Sequence, residues 1–218
     1  MTFVFQKQKE IMLKYEKIDI ATFDINCLQD QQVMKDFAYR CIEELTEAGE
    51  EIENYIEFLI DPVKYKDDKR KIDKVQHFKE EFVDFFNFLV EMYIIYGWDV
   101  KKLDKIVIDG ECRDIAMRYE LKSDFKDPAT IIKELNTDIR SDLYKIIYAI
   151  GQCMNCLKNR PWRSTQYLVD LLVFEERFKE LMPIAIRFAN LWGMSTSELL
   201  SQWSLKMQVN EFRLETDY

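Results

Sequence analysis

The sequence predicts an all-α fold, and three observations carry that reading. Apolar residues recur at the three-to-four-residue spacing of a helix face through most of the 218 residues. Glycine and proline are scarce, five and four residues, where average usage would give about 15 and 11. Turn-rich β architectures and Gly-rich nucleotide-binding α/β folds need more of both. The breaks that do occur carry helix-starting or helix-ending chemistry.

Leu28 to Leu59 predicts one or two helices, with Val33, Phe37, Cys41, Leu45, Ile52, Tyr55, Ile56 and Leu59 on one stripe. Asp61-Pro62 stops them. Lys64 to Lys79 reads as a charged connector with seven Lys or Arg and three Asp. Phe78 to Tyr96 is a long, very apolar helix ended by Gly97, suited to the core, to a dimer face, or to both. Asp99 is placed to cap a helix from Val100, and Val107 to Asp127 is the least periodic part. Asp127-Pro128 opens a helical run, Ile131 to Lys158, broken by Asn159-Arg160-Pro161-Trp162. Thr165 to Trp192 follows, then Gly193. Ser195-Thr196-Ser197-Glu198 has capping-box spacing and opens a final helix to about Arg213.

The length suits a single domain, residues 1–218, built of a first half over about 28–105 and a second over about 128–218. A faint internal repeat supports two halves. Asp84 precedes Gly97 by 13 residues, as Glu180 precedes Gly193 by 13; Asp99 and Ser195 follow at +2, Leu103 and Leu199 at +6. Ala48-Gly49 answers Ile150-Gly151 upstream. Duplication of one helical unit and the general likeness of helical hairpins both account for this pattern.

Net charge is −9, from 40 acidic against 31 basic residues, which disfavours a general nucleic-acid binder. The single histidine, His77, excludes metal sites that need several imidazoles and argues against a Ser-His-Asp triad. It reads as an exposed bystander in the connector. Five cysteines (Cys27, Cys41, Cys112, Cys153 and Cys156) include one C-x-x-C pair, Cys153 and Cys156, with no second pair to complete a zinc site. That pair reads as a reduced, partly buried helix face. The first seven residues lack a signal pattern and no uncharged run approaches 18 residues. The expectation is a reduced, cytoplasmic protein with no membrane partner.

Acidic residues are segregated. Between Cys41 and Val63 stand seven Glu and one Asp with no Lys or Arg. Within Glu43-Glu44-Leu45-Thr46-Glu47, residues Glu44 and Glu47 lie about 60° apart on a helix. In Glu80-Glu81-Phe82-Val83-Asp84, Glu81 and Asp84 share a face inside the most apolar helix. Either cluster alone reads as a solvated acidic stripe. Packed antiparallel, the two would gather four carboxylates that repel unless neutralised, and hard oxygen ligands point to Mg²⁺. The connector lysines, and the break with Lys158, Arg160, Trp162 and Arg163, could meet polyphosphate or merely balance acidic neighbours. At the C-terminus Lys206, Asn210 and Arg213 share one face, which suits a nucleotide or an ordinary amphipathic helix.

E-E-x-x-E followed about 33 residues later by E-x-x-D resembles the signature of the MazG-like all-α nucleoside triphosphate pyrophosphatases. Lys206, Asn210, Arg213 and Tyr218 resemble the ending of one branch, the dimeric dUTPases and phage dCTPase-dUTPases, as does Leu191 to Leu205 just before it. The resemblance covers roughly Leu28 to Glu57, Phe78 to Gly97 and Leu191 to Tyr218. It implies a degenerate tandem duplication of a four-helix unit, a homodimer, and hydrolysis of dUTP to dUMP and diphosphate, with dCTP and dUDP as further substrates. Glu44, Glu47, Glu81 and Asp84 would hold two or more Mg²⁺, and Glu44 or Glu47 would activate the attacking water. Lys206, Arg213 and Tyr218 would meet phosphates, Asn210 the base or sugar, and Gln29 or Gln32 the pyrimidine. Relatives carry His where Asn87 stands and Gly where Asp217 stands; Asn87 can offer a base edge both a donor and an acceptor. The alternatives are a housecleaning pyrophosphatase for non-standard nucleotides and a non-catalytic helical scaffold.

Overall fold

Antiparallel packing of two long helices organises the chain. The computed structural model describes residues 2–105, 127–157 and 170–216, and the described residues are helical without strands. Helix α1 is Thr2–Tyr15, α2 Leu28–Glu50, α3 Ile52–Ile60 and α4 Lys69–Ile95. After a helical segment at 100–105 come α5, Pro128–Met154, α6, Leu171–Leu191, and α7, Thr196–Thr216. Phe37 of α2 meets Phe88 of α4, with ring centroids 6.4 Å apart, and Cys41 Sγ lies 3.9 Å from the Phe85 carbonyl oxygen. Glu44 lies against Glu81 and Asp84. Rising numbers on α2 meet falling numbers on α4, so the pair is antiparallel. α5 and α6 pair likewise: Arg177 reaches the Gln152 carbonyl and the Trp192 indole points to Asp142.

α4 is the core helix. Phe82, Val83, Phe85, Phe86, Leu89, Val90, Met92, Tyr93, Ile94 and Ile95 are all buried within the single chain. Its apolar content is thus explained without a dimer face. The helix starts at Lys69, so the second half of the expected connector, 69–79, is helical. Buried Val75 and Phe78 continue the α4 stripe N-terminally, and packing of that stripe outweighs the charges around it. Two of its lysines balance neighbouring acids: Lys71 pairs with Glu57 at 2.9 Å and Lys79 with Glu198 at 2.6 Å. His77 is exposed on this helix.

The expected breaks that lie within the described residues fall where expected. One residue, Glu51 at φ −88° and ψ 2°, separates α2 from α3. Asp127 Oδ1 accepts from Thr130 N at 3.1 Å with Pro128 in the first turn, and so caps α5. The two glycine turns match closely. Gly97 and Gly193 have φ of 84° and 87°, where a Cβ would be strained. Trp98 N donates to Tyr93 O at 3.0 Å, and Met194 N to Ala189 O at 2.8 Å, the long bond of a Schellman ending. Asp99 and Ser195 then cap the next helices through Lys102 N and Glu198 N. Residues 106–126, 158–169 and 217–218 lie outside the described set, and with them Cys112, the Lys158–Arg163 break, Asp217 and Tyr218. No helix among the described residues is long and apolar enough to cross a membrane.

α1 was not anticipated by the periodic stripes further along. It buries Phe5, Gln8, Ile11 and Met12, a three-to-four-residue repeat interrupted by one amide. It packs against α4 and α7, and Lys7 pairs with Glu211 of α7.

One hydroxyl holds α4 to α6. Tyr93 Oη donates to Phe178 O at 2.6 Å and accepts from Met182 N at 3.0 Å. It is inserted into a turn of α6 that immediately precedes Pro183, a residue with no N–H of its own. Tyr93→Phe removes the bridge in a fully buried place. It is expected to destabilise the fold by about 1–3 kcal/mol, read as a lower denaturant midpoint with unchanged slope.

Candidate functional site

The α2–α4 crossing brings three of the four expected carboxylates together. Oxygens of Glu44, Glu81 and Asp84 lie within 4.8 Å of one another, each side chain half-buried. Glu47, one turn along α2, is exposed at the edge of this trio and adds to the negative field felt by Glu44 and Glu81. α7 crosses above and delivers Lys206, whose Nζ donates to Asp84 Oδ2 at 2.6 Å. Asp84 Oδ1 is buried and has no partner.

Burial and mutual repulsion set the charge state. Desolvation, then Asp84, pushes the Glu44 carboxyl up to about 8, and Glu44 donates to Glu81. Glu81 is also raised, by desolvation first. Asp84 is raised by desolvation even though Lys206 and Arg213 pull it down. Three acids in one place, with protons shared among them and one oxygen unpartnered, are what a divalent cation relieves. Hard carboxylate oxygens in this number fit Mg²⁺, and Glu44, Glu81 and Asp84 are the residues that could hold it.

A cleft of about 400 Å³ opens beside the trio between α1, α2, α4 and α7. One end carries Glu44 and Asp84, and one flank carries Lys206, Asn210 and Arg213 from successive turns of α7. The inner end is a wall of Ile11, Met12 and Phe88 around Asn87 and Glu91. A second cleft, about 370 Å³, lies across the Asp84–Lys206 bridge against Glu80, Glu81 and the outer face of α7. Asn87 is oriented by its neighbours, its Oδ1 accepting from Trp203 Nε1 at 3.1 Å and its Nδ2 donating to Glu91 Oε1 at 3.3 Å.

The structure does not bring Gln29 or Gln32 to this cleft. Both are exposed on the first turns of α2, and Gln32 Nε2 donates to Asp36 Oδ1 at 2.7 Å. The glutamine behind the wall is Gln8 of α1, fully buried, with its amide on Glu91. Phe88 carries the Arg40 guanidinium 5.6 Å from its ring centre, and Arg40 is fixed by two hydrogen bonds to Glu16, at 2.6 and 3.1 Å. Glu91 did carry a signal. It is the lone charged residue between Asp84 and Tyr96 and stands two helical turns from Asp84, on the same face.

Comparison of the chain with protein-family models, with curated proteins and with solved structures gives no match.

The raised acids fix the sign of a pH effect. With folded-state values above the unfolded ones, the native chain binds more protons through the interval between them. Stability is therefore full near pH 4 and is lost as pH rises toward about 8, the Glu44 value. Without divalent cations the thermal midpoint should fall over that interval, and Asp84→Asn should flatten the fall. Millimolar Mg²⁺ should raise the midpoint more at pH 8 than at pH 5, since it binds the ionised forms. A cation response independent of pH would show that the trio is not the binding site.

Proposed function

We propose that the chain is a Mg²⁺-dependent nucleoside triphosphate pyrophosphatase acting on deoxypyrimidine nucleotides, dUTP first and dCTP second, of the MazG-like, dimeric-dUTPase kind. The observation that carries this reading is convergence on one cleft. A half-buried acidic trio, a row of cationic and amide groups, and an apolar wall with a polar floor follow one another along it. Those are the three needs of a metal-bound triphosphate, its charged oxygens and its base. The sequence signature and the −9 net charge, which disfavours nucleic acid, point the same way.

Magnesium held by Glu44, Glu81 and Asp84 would neutralise triphosphate charge and lower the pKa of a bound water. The chain's own groups do the rest. Glu47, exposed at the rim, accepts the proton of the attacking water. Lys206 exchanges Asp84 for a phosphate oxygen, and Arg213 adds a second cation on the same flank. Phe88, Ile11 and Met12 form the apolar walls that receive a base, and Asn210 stands between base and phosphates. Water adds at phosphorus, the bridging P–O bond breaks, and monophosphate leaves with diphosphate. No covalent nucleophile takes part.

A homodimer belongs to this proposal. Leu205, Val209 and Phe212 are 50%, 46% and 64% exposed and form an apolar stripe on the outer face of α7 beside the second cleft. Sedimentation of the wild type should give twice the chain mass, and Phe212→Glu should shift it toward the monomer.

The activity is tested by incubating the chain and Mg²⁺ with a panel of deoxy- and ribonucleoside triphosphates and separating products by anion exchange. dUTP or dCTP should give monophosphate and diphosphate, and Glu47→Ala should lower kcat by about 10²–10⁴-fold with the thermal midpoint kept. Turnover spread evenly over purines and pyrimidines would favour a housecleaning role. No turnover of any nucleotide would leave a helical scaffold.

A further inference from the structure

Glu91 has a different environment from the acidic trio. It lines the inner end of the cleft, is 5% exposed, and sits on α4 two turns beyond Asp84. Its Oε1 accepts from two amides, Gln8 Nε2 of α1 and Asn87 Nδ2 of its own helix. Its Oε2 is buried and has no partner. With Oε1 already taken by two donors, a proton on this carboxyl belongs on Oε2.

The surrounding charges favour that proton. Desolvation pushes Glu91 up to about 8. Glu16, just past α1, contributes to that rise, while Arg40 of α2 and the hydrogen bonds from Asn87 and Gln8 act against it; Arg40 is already bound bidentately to Glu16. The Cys41 thiol of α2 also faces it and is itself pushed up by burial and by Glu91. Glu44 of α2, Asp84 of α4 and Lys206 and Arg213 of α7 line the same cleft, with Lys206 taken by Asp84. Near neutral pH the inner wall therefore presents a hydroxyl donor where the sequence shows an acid.

We propose that Glu91, as the neutral acid, is a specificity-determining residue of this cleft, its Oε2 hydroxyl donating to a carbonyl or ring-nitrogen acceptor on a pyrimidine edge. The proposal rests on the nucleotide reading of the cleft. Gln8 and Asn87 act through Glu91 as positioning residues, because they hold Oε1 and leave Oε2 for the ligand. A carboxylate has no hydrogen to give, so the contact is present below the Glu91 pKa and lost above it. Uracil and cytosine both offer such an acceptor beside an N–H.

Glutamine is the informative substitution, because its amide keeps an oxygen for Gln8 and Asn87 and donates from the other atom at every pH. The full chain is titrated calorimetrically with dUMP and with dCMP, in chelator without divalent cations, between pH 7.0 and 9.5. From pH 7.5 to 9.0 wild-type affinity should weaken about eightfold more than that of Glu91→Gln, the loss expected for one further group titrating near 8. Glu91→Gln should bind like the wild type at pH 7.5 and show only the loss that ionisation of Glu44 in the same cleft causes. Glu91→Leu should bind weakly throughout while its unfolding transition shows that it is folded. Ligand ionisation is common to all three chains and cancels in the comparison.

The proposal is overturned by parallel pH profiles for wild type and Glu91→Gln, by Glu91→Gln binding as weakly as Glu91→Leu, or by no binding of either nucleotide. These results are separable from failure of the hydrolase reading. Metal-free binding with the expected profile but no triphosphate turnover in Mg²⁺ sinks the hydrolase alone. Turnover with parallel binding profiles for wild type and Glu91→Gln sinks the role of Glu91 alone.

Discussion

Mutual repulsion among three carboxyl groups is the constraint around which this molecule is arranged. Nothing in the local preferences of α2 or α4 favours placing Glu44, Glu81 and Asp84 within 4.8 Å of one another, half out of water. The aromatic and sulfur-rich seam between the two helices imposes it, since Phe37, Cys41, Phe85 and Met92 are buried on the same faces. Apolar burial of that extent outweighs the electrostatic penalty. α7 must then cross where Lys206 can meet Asp84, and α1 must cover what α7 leaves open. The positions of both outer helices follow from the charge at the centre.

One helix carries acids of two kinds. The α4 residues of the trio look toward a polar, cation-rich cleft, whereas Glu91, two turns along, looks into a wall of Met12, Phe88 and buried amides. Desolvation is the largest cause in each case, but the compensation differs. A cation can neutralise the first set from outside. Glu91 has no free cation to call on, so a proton is its compensation. Separating two carboxylates by environment is a general way of giving the same functional group distinct tasks.

The parts of the fold written in local chemistry were legible in the sequence. Gly97, Asp127-Pro128, Gly193 and Ser195 act through their own backbone and near neighbours, and their roles need no knowledge of distant contacts. The acidic trio was legible because i,i+3 spacing on two helices leaves few ways to pack them. α1 was harder to read, because its buried face includes Gln8, whose burial makes sense only beside Glu91 of α4. The early start of α4 was masked by charge, since Val75 and Phe78 are flanked by Lys74 and Lys79 and separated by Gln76 and His77. Gln29 and Gln32 lie on the right helix for the acidic motif but on its solvent side. Their distance from the cleft is a matter of helix phase that composition alone does not reveal.

The pairing of Lys7 with Glu211 spans 204 positions of the chain. At translation rates of about 5–20 residues per second, roughly 10–40 s separate the synthesis of its two ends. α1 emerges with Phe5, Ile11 and Met12 on one side and an amide in their midst, well before α7, which closes over it. The inner wall of the cleft is thus completed only after the α2–α4 seam exists to receive both. Through that interval α1 can meet α4, made by residue 95, but not α7. Exposure of that apolar face to chaperones and to self-association is the temporal cost of building a pocket from segments so far apart in a sequence.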